Sequence, residues 1–314
     1  MPNPRITVAV ITYNRAPFLR ETLAGLSRQE YTGDEWELLV IDNNSTDDTA
    51  DVVASFGGSN PAPRRILETA PGLDHGRNRA IREARGELVA LVDDDILMDP
   101  DWLSLIMAPL ASDAKGAIGA VGGDVVPVFP GGVPRWLEGS HRPLNLRGDT
   151  GPLRPGQSPM GANFAFPKRV FAQVGEFDTR LDRSGKKLFG GGDSDMIRRV
   201  RAAGLEVWFV PAARVQHQIP AGRLTFSYAA RHAFDSARSS IVEKGRALAE
   251  SGRAAAPYLA SRLLGALAKL AWFCLQAAAC FIFLATGAGK RALVRAWRCC
   301  GYIYQIARSM AGKV

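Results

Sequence analysis

A strand-and-helix rhythm in the first 110 residues constrains the fold more than any other feature of the chain. Roughly every 30 residues a β-branched apolar run ends in a polar turn, and a helix-like segment follows. The apolar runs fall at 6–11, 38–41, 65–67 and 88–92, and the helical patterns at 16–27, 46–55, 73–85 and 100–110. Runs apolar on both faces, alternating with amphipathic helices, predict an α/β fold with a parallel sheet covered on two sides. In such sheets ligands bind at the carboxyl ends of the strands. The polar turns sit at those ends: Thr12-Tyr13-Asn14-Arg15, Asp42-Asn43-Asn44-Ser45 and Asp93-Asp94-Asp95. They should converge on one crevice.

From 121 to 192 the pattern changes to Gly- and Pro-rich segments with short apolar pieces at 125–129 and 163–166. Longer loops are expected there, shaping a second pocket. A helix over 193–203 and a strand over 206–210 follow.

Consecutive carboxylates at the end of a buried strand repel one another unless something positive lies among them. A divalent cation with oxygen ligands is one answer, and capping of the helix that follows is another. Asp42 and Asn43 offer acceptors suited to a pyrimidine imide or a ribose hydroxyl, or to an Asx turn. Arg77 presents a planar fork to a base or diphosphate, or lies on a solvated helix face.

As a set these residues resemble glycosyltransferase family 2. The resemblance rests on Thr12 to Arg15, the turn from Ile41 to Asp47, Gly76-Arg77-Asn78, Gly86-Glu87 and the Asp93 to Asp95 cluster. It continues through the motifs that begin at Gly161, Val174 and Gly191, and through Val210-Pro211 leading to His217. It spans roughly residues 5–240. The resemblance implies a GT-A (Rossmann-like) fold, a nucleotide-diphosphate sugar donor, a Mg²⁺ or Mn²⁺ ion and inversion at the anomeric carbon. It assigns Thr12, Tyr13 and Arg15 to base and ribose, and Asp42 and Asn43 to the base. Arg77 goes to base or phosphate, Asp93 and Asp94 to the nucleotide, and Asp95 to the metal, with His217 reaching the metal or diphosphate. The catalytic base is expected to be Asp193, which follows three glycines at a helix start, with Asp195 sharing its role or orienting the acceptor. Where the family usually shows Glu-Asp, this chain has Gly192-Asp193. Trp136 is expected either to stack on an acceptor sugar or to pack its loop onto the core. Residues 1–120 then form the donor-binding half and 121–250 the acceptor-binding and catalytic half.

Charge sets the remainder, 251–314, apart. Of 39 basic residues in a chain of net charge +8, the segment holds nine and no acid, leaving 30 against 31 acidic groups elsewhere. It also holds all four cysteines and an uncharged run over 270–289. Positive charge within the most apolar stretch favours an anionic membrane surface over nucleic acid. As one helix the run would be about 30 Å long. Basic flanks on both sides argue for interfacial or re-entrant helices, or for a helical oligomerisation hairpin. No secretory signal opens the chain, so the expected place is the cytoplasmic face of the inner (plasma) membrane. A membrane-held transferase should act on a lipid-linked saccharide, such as a polyprenyl-diphosphate intermediate of cell-surface polysaccharide synthesis. Transfer to polyprenyl phosphate itself and a non-catalytic binding adaptor are the alternatives.

Overall fold

In a computed structural model, residues 5–31, 36–138, 146–181 and 190–311 are described. They fall into two compact units, one of Met1–Val128, Arg142–Asp182 and Gly192–Gln218, the other of Phe129–His141, Arg183–Gly191 and Ile219–Val314.

The first unit is built on one sheet. Strands β1 (Ile6–Thr12), β2 (Trp36–Asp42), β3 (Pro63–Leu67) and β4 (Leu88–Asp93) are parallel in the order β3-β2-β1-β4. Between them run the helices α1 (Ala16–Leu26), α2 (Thr49–Ser55) and α3 (Leu73–Glu83). Burial on both faces is visible residue by residue. Val8, Val10, Leu38 and Val40 pack with Leu19 and Leu23 of α1, while Ala9, Ile11, Leu39 and Ile41 pack with Ala80 and Ile81 of α3. The turn before β4 presses so closely on β1 that a Cβ at Gly86 would lie 2.6 Å from the Ile6 carbonyl carbon.

Beyond β4 the sheet becomes mixed. It is completed by β5 (Ile96–Met98), β6 (Ile118–Val128), β7 (Gly151–Pro152), β8 (Asn163–Pro167) and β9 (Glu206–Gln218), with β8 antiparallel between β4 and β6. Asn163 explains why this junction holds. Its buried amide donates to the carbonyls of Asp124 and Ala213 at 3.2 and 2.8 Å and accepts from the Trp102 indole at 3.0 Å. The strand expected over 206–210 continues through Gln218, because its register against β6 shifts after Val210 and its far end pairs with β5. Helices α4 (Trp102–Ala111), α5 (Arg169–Val174) and α6 (Gly192–Ala202) complete this unit.

The second unit contains three long helices, α7 (Phe226–Glu250), α8 (Ala256–Ile282) and α9 (Thr286–Met310). The basic tail thus shares its unit with α7. Ala237, Ile241, Ala266, Tyr302 and Ile306 form its core. Gly301 allows α9 to approach α7, since a Cβ there would lie 2.2 Å from the Phe234 carbonyl oxygen. The uncharged run is not one helix: α8 ends at Ile282, and Leu284 turns the chain with φ 57°. A helical hairpin results. With 27 residues, about 40 Å in length, α8 is still long and apolar enough to cross a membrane. It exposes Leu264, Leu267, Trp272 and Leu275. Trp136 packs its loop: the ring lies 6.2 Å from that of Phe226 and its carbonyl accepts from Arg291 at 3.0 Å.

Candidate active site

The carboxyl ends of β1, β2 and β4 lie side by side, with Thr12 opposite Asp42 and Ile11 opposite Asp93. The acidic turn after β4 divides its carboxylates. Asp94 turns toward β1, accepting from the Thr12 hydroxyl at 2.7 Å and from Arg15 at 2.8 Å. Burial, reinforced by the charges of Asp95 and Asp93, raises the Asp94 carboxyl to about 7, against the opposing pull of Arg15 and Thr12. Beneath them the Thr22 hydroxyl ties the turn's backbone, lying 2.9 Å from the Asp94 and Ile96 carbonyl oxygens. Arg15 also reaches Asp95 Oδ2 at 2.5 Å. Burial works against the Arg15 charge, but the three aspartates outweigh it and raise its pKa.

Asp93 and Asp95 take the other direction and meet His217. One oxygen from each and one ring nitrogen all lie within 4.8 Å of one another. Pairing of β5 with β9 brings the histidine there: Ile96 faces His217, and the Gln218 N–H donates to the Asp95 carbonyl at 2.8 Å. His217 Nε2 stands 3.0 Å from Asp95 Oδ1, with both atoms shielded from solvent. Two hard oxygens and an imidazole suit Mg²⁺ or Mn²⁺. The donor set therefore fits the ion that the sequence suggests.

A second charged group surrounds Arg77. The residue is buried on α3, stacks 5.1 Å from the Phe177 ring, and pairs with Asp74 at 2.9 Å and Asp193 at 2.5 Å. Burial opposes its charge, but Asp193 and Asp74 more than restore it, with Asp93 adding to the effect. Its fork is thus engaged with carboxylates. Asp193 keeps 37% of its side chain exposed at the start of α6. Gly161 makes room for it, because a Cβ there would lie 2.2 Å from Asp193 Oδ2. Asp195, two residues along, is buried and paired with Arg198 and Arg199, at 2.6 and 2.8 Å.

On the β2 side, Asp42 accepts from the Ser45 N–H at 2.8 Å and from Arg65 at 2.5 Å. Asn43 donates to the carbonyls of Glu68 and Ala70 and accepts from the Gly72 N–H. Both brace the loops around β2 and β3. Tyr13 is 52% exposed at the rim.

The family model of glycosyl transferase family 2 matches residues 7–175. The chain belongs to this family. The glycosyltransferase is 26% identical over 234 residues to a glucosyl-dolichyl phosphate glucuronosyltransferase of Haloferax volcanii, an alignment spanning 71% of this chain and 72% of that one. It is 32% identical over 117 residues to the validoxylamine A glucosyltransferase of Streptomyces hygroscopicus subsp. jinggangensis, spanning 37% of this chain and 28% of the relative. A mannosyltransferase from Pyrobaculum calidifontis, solved with GDP-Man and Mn²⁺, superposes with a TM-score of 0.63 at 24% identity, over 99% of this chain and 88% of that one. That likeness establishes the GT-A fold.

Two residues of this glycosyltransferase's site escape a reading of its sequence. Asp74 lies in the first turn of α3, three residues before Arg77, a spacing that allows a helical ion pair but reads equally as a dipole-complementing acid. Thr22 lies in the middle of α1 with no local signal. Gly192 acquires a steric reason as well: a Cβ there would meet Asp74 Oδ2 at 2.2 Å.

Proposed function

We propose that this glycosyltransferase transfers a sugar, with inversion, from a nucleotide-diphosphate donor to a hydroxyl of a lipid-linked saccharide at a membrane surface. The supporting observation is the pairing of two groups at the carboxyl ends of the sheet. One is the Asp93, Asp95 and His217 cluster; the other is Asp193 anchored by Arg77, whose guanidinium feels Asp93 as well.

In this reading Asp93, Asp95 and His217 would hold Mg²⁺ or Mn²⁺, which would supply neutralisation of charge on the leaving diphosphate. Tyr13 offers an exposed ring to the base, and Asp42 and Asn43 hold the loops that border it. Thr12 and Arg15 fix Asp94, so that this carboxylate would serve the ribose side while Asp93 and Asp95 would serve the cation. Arg77 orients Asp193 through Oδ1. The exposed part of the Asp193 carboxylate accepts the proton of the incoming hydroxyl as that oxygen bonds to the anomeric carbon and the diphosphate departs. The substrate of the Haloferax relative, a dolichyl phosphate glycoside by its name, and the apolar outer face of α8 favour a lipid-linked acceptor.

Hydrolysis of a panel of nucleoside-diphosphate sugars including GDP-mannose, with Mn²⁺, tests the donor half. Asp95→Ala and Asp193→Ala should each lose activity by roughly 10²-fold or more. Unchanged rates in both variants would remove the catalytic assignment. Transfer of labelled sugar into an organic-extractable product tests the acceptor; label found only in free sugar would exclude a lipid acceptor.

A further inference from the structure

The facing sides of α8 and α9 line a half-open cavity of about 520 Å³ inside the second unit, with Lys269, Arg295 and Arg298 exposed and Arg262 half-buried. Arg262 and Lys269 enter it from α8, and Arg295 and Arg298 from α9, with Phe273 and Tyr302 between them. The spacing puts each basic pair seven or three residues apart on one face of its helix. None of the four cations forms an ion pair with a carboxylate among the described residues. The segment 251–314 contains no acid to offer. Aromatic faces organise the guanidinium groups instead. Arg262 lies 4.3 Å from the Tyr302 ring centroid, Arg295 lies 5.8 Å from that of Phe273, and Arg298 donates to the Tyr302 hydroxyl at 3.2 Å. The Nε donor of Arg262 is buried with no hydrogen-bond partner.

Like charges gathered around one cavity, with a buried guanidinium donor left unused, call for an anion with several acceptor oxygens. A single guanidinium fork pairs with carboxylate or phosphate alike, but several cations around one cavity favour phosphate, whose tetrahedral oxygens accept from more than one donor group at once where a carboxylate offers two coplanar oxygens. The exposed Leu264, Leu267 and Trp272 of α8 place apolar surface on the helix that supplies Arg262 and Lys269.

We propose that this cavity binds the phosphate headgroup of a membrane lipid, docking the hairpin to the bilayer by recognition of phosphate rather than by charge alone. The proposal rests on the membrane reading above and is independent of the catalytic one.

The full-length protein is tested by flotation with phosphatidylcholine vesicles made equally anionic with either phosphatidic acid or a fatty-acid carboxylate. The parent should prefer the phosphate vesicles by about tenfold or more. R262Q/R298Q should lose that preference, and R262K/R298K, which keeps the charge without the fork, should lose most of it. R253Q/K290Q removes the same charge from exposed positions outside the cavity and should retain it. Equal loss in both glutamine pairs, or no preference in the parent, would overturn the proposal. Absence of binding to every vesicle would overturn it together with the membrane reading, while donor hydrolysis would still report on the catalytic one. Inorganic phosphate in detergent micelles forms the second arm. If it raises the melting temperature of the parent but not of R262Q/R298Q, and vesicles give no preference, the cavity serves a soluble phosphate and the lipid source is wrong. Retained donor hydrolysis in R262Q/R298Q shows that the variant is folded.

Discussion

In the proposed reaction the chemistry at Asp193 depends on how that one carboxylate is held. Arg77 grips Oδ1 and is itself fixed by Asp74 and the Phe177 ring, so the three side chains act as a unit. Arg77→Met would remove the cation that buried Asp74 pairs with at 2.9 Å, a loss on the order of 3–5 kcal/mol for a broken buried pair. Arg77→Lys is the more informative variant. It keeps the charge but lacks the fork that reaches two carboxylates, so kcat for donor hydrolysis should fall while KM for the donor changes little. An equal rise in KM would mean that Arg77 touches the nucleotide directly. Gly192→Ala should also be damaging, because its methyl group would collide with Asp74 Oδ2. The expected cost is about 1–3 kcal/mol, read as a lower melting temperature. No change would show that Asp74 can swing away freely. The space a side chain at 192 would enter is occupied by another acid, Asp74 of α3.

Between elements, single polar or small residues set how strands and helices meet. Asn163 joins β8 to backbone carbonyls of Asp124 in β6 and Ala213 in β9, and to Trp102 of α4. Asn163→Leu should cost at least about 1–3 kcal/mol, since buried carbonyls and an indole N–H lose their partner. Chemical denaturation would measure it, and a cost near zero would show that the junction relaxes. Gly301 does the equivalent for α7 and α9. Gly301→Ala should separate these helices and loosen the satellite core around Tyr302 and Ile306. Increased hydrogen exchange confined to α7, α8 and α9, with β1 to β4 unchanged, is the expected signature. The βα rhythm made the first four strands legible because each carries its own apolar run and its own turn. The mixed half was less legible, because β5, β8 and the end of β9 are short pieces whose pairing depends on residues far away in the chain.

For the whole molecule, ligands and surroundings should act on the two units differently. Mn²⁺ should raise the melting temperature of the parent, by about 2.7 kcal/mol of stabilisation at a hundredfold excess over Kd. The shift should shrink in Asp93→Ala, Asp95→Ala or His217→Ala. An unaltered shift in all three would place the ion elsewhere. Trp272→Glu/Leu275→Glu adds charge to the exposed face of α8 and should reduce vesicle binding, with donor hydrolysis preserved. Undiminished binding would argue that this face is not the one that meets lipid.

The residues alone determined that the chain begins as a two-sided parallel sheet, that its polar turns meet at the strand ends, and that its positive charge belongs to the tail. Those properties are local: a run of apolar side chains, a turn, a count of acids over a segment. Tertiary structure decided the partners. The strand pairing of Ile96 with His217 carried the histidine to Asp93 and Asp95, and the arrival of the first turn of α6 beside α3 turned Arg77 from an open fork into the anchor of Asp193. A carboxylate's role depends on which charge lies within a few ångströms, and side chains 116 positions apart in sequence meet only when the sheet has closed between them.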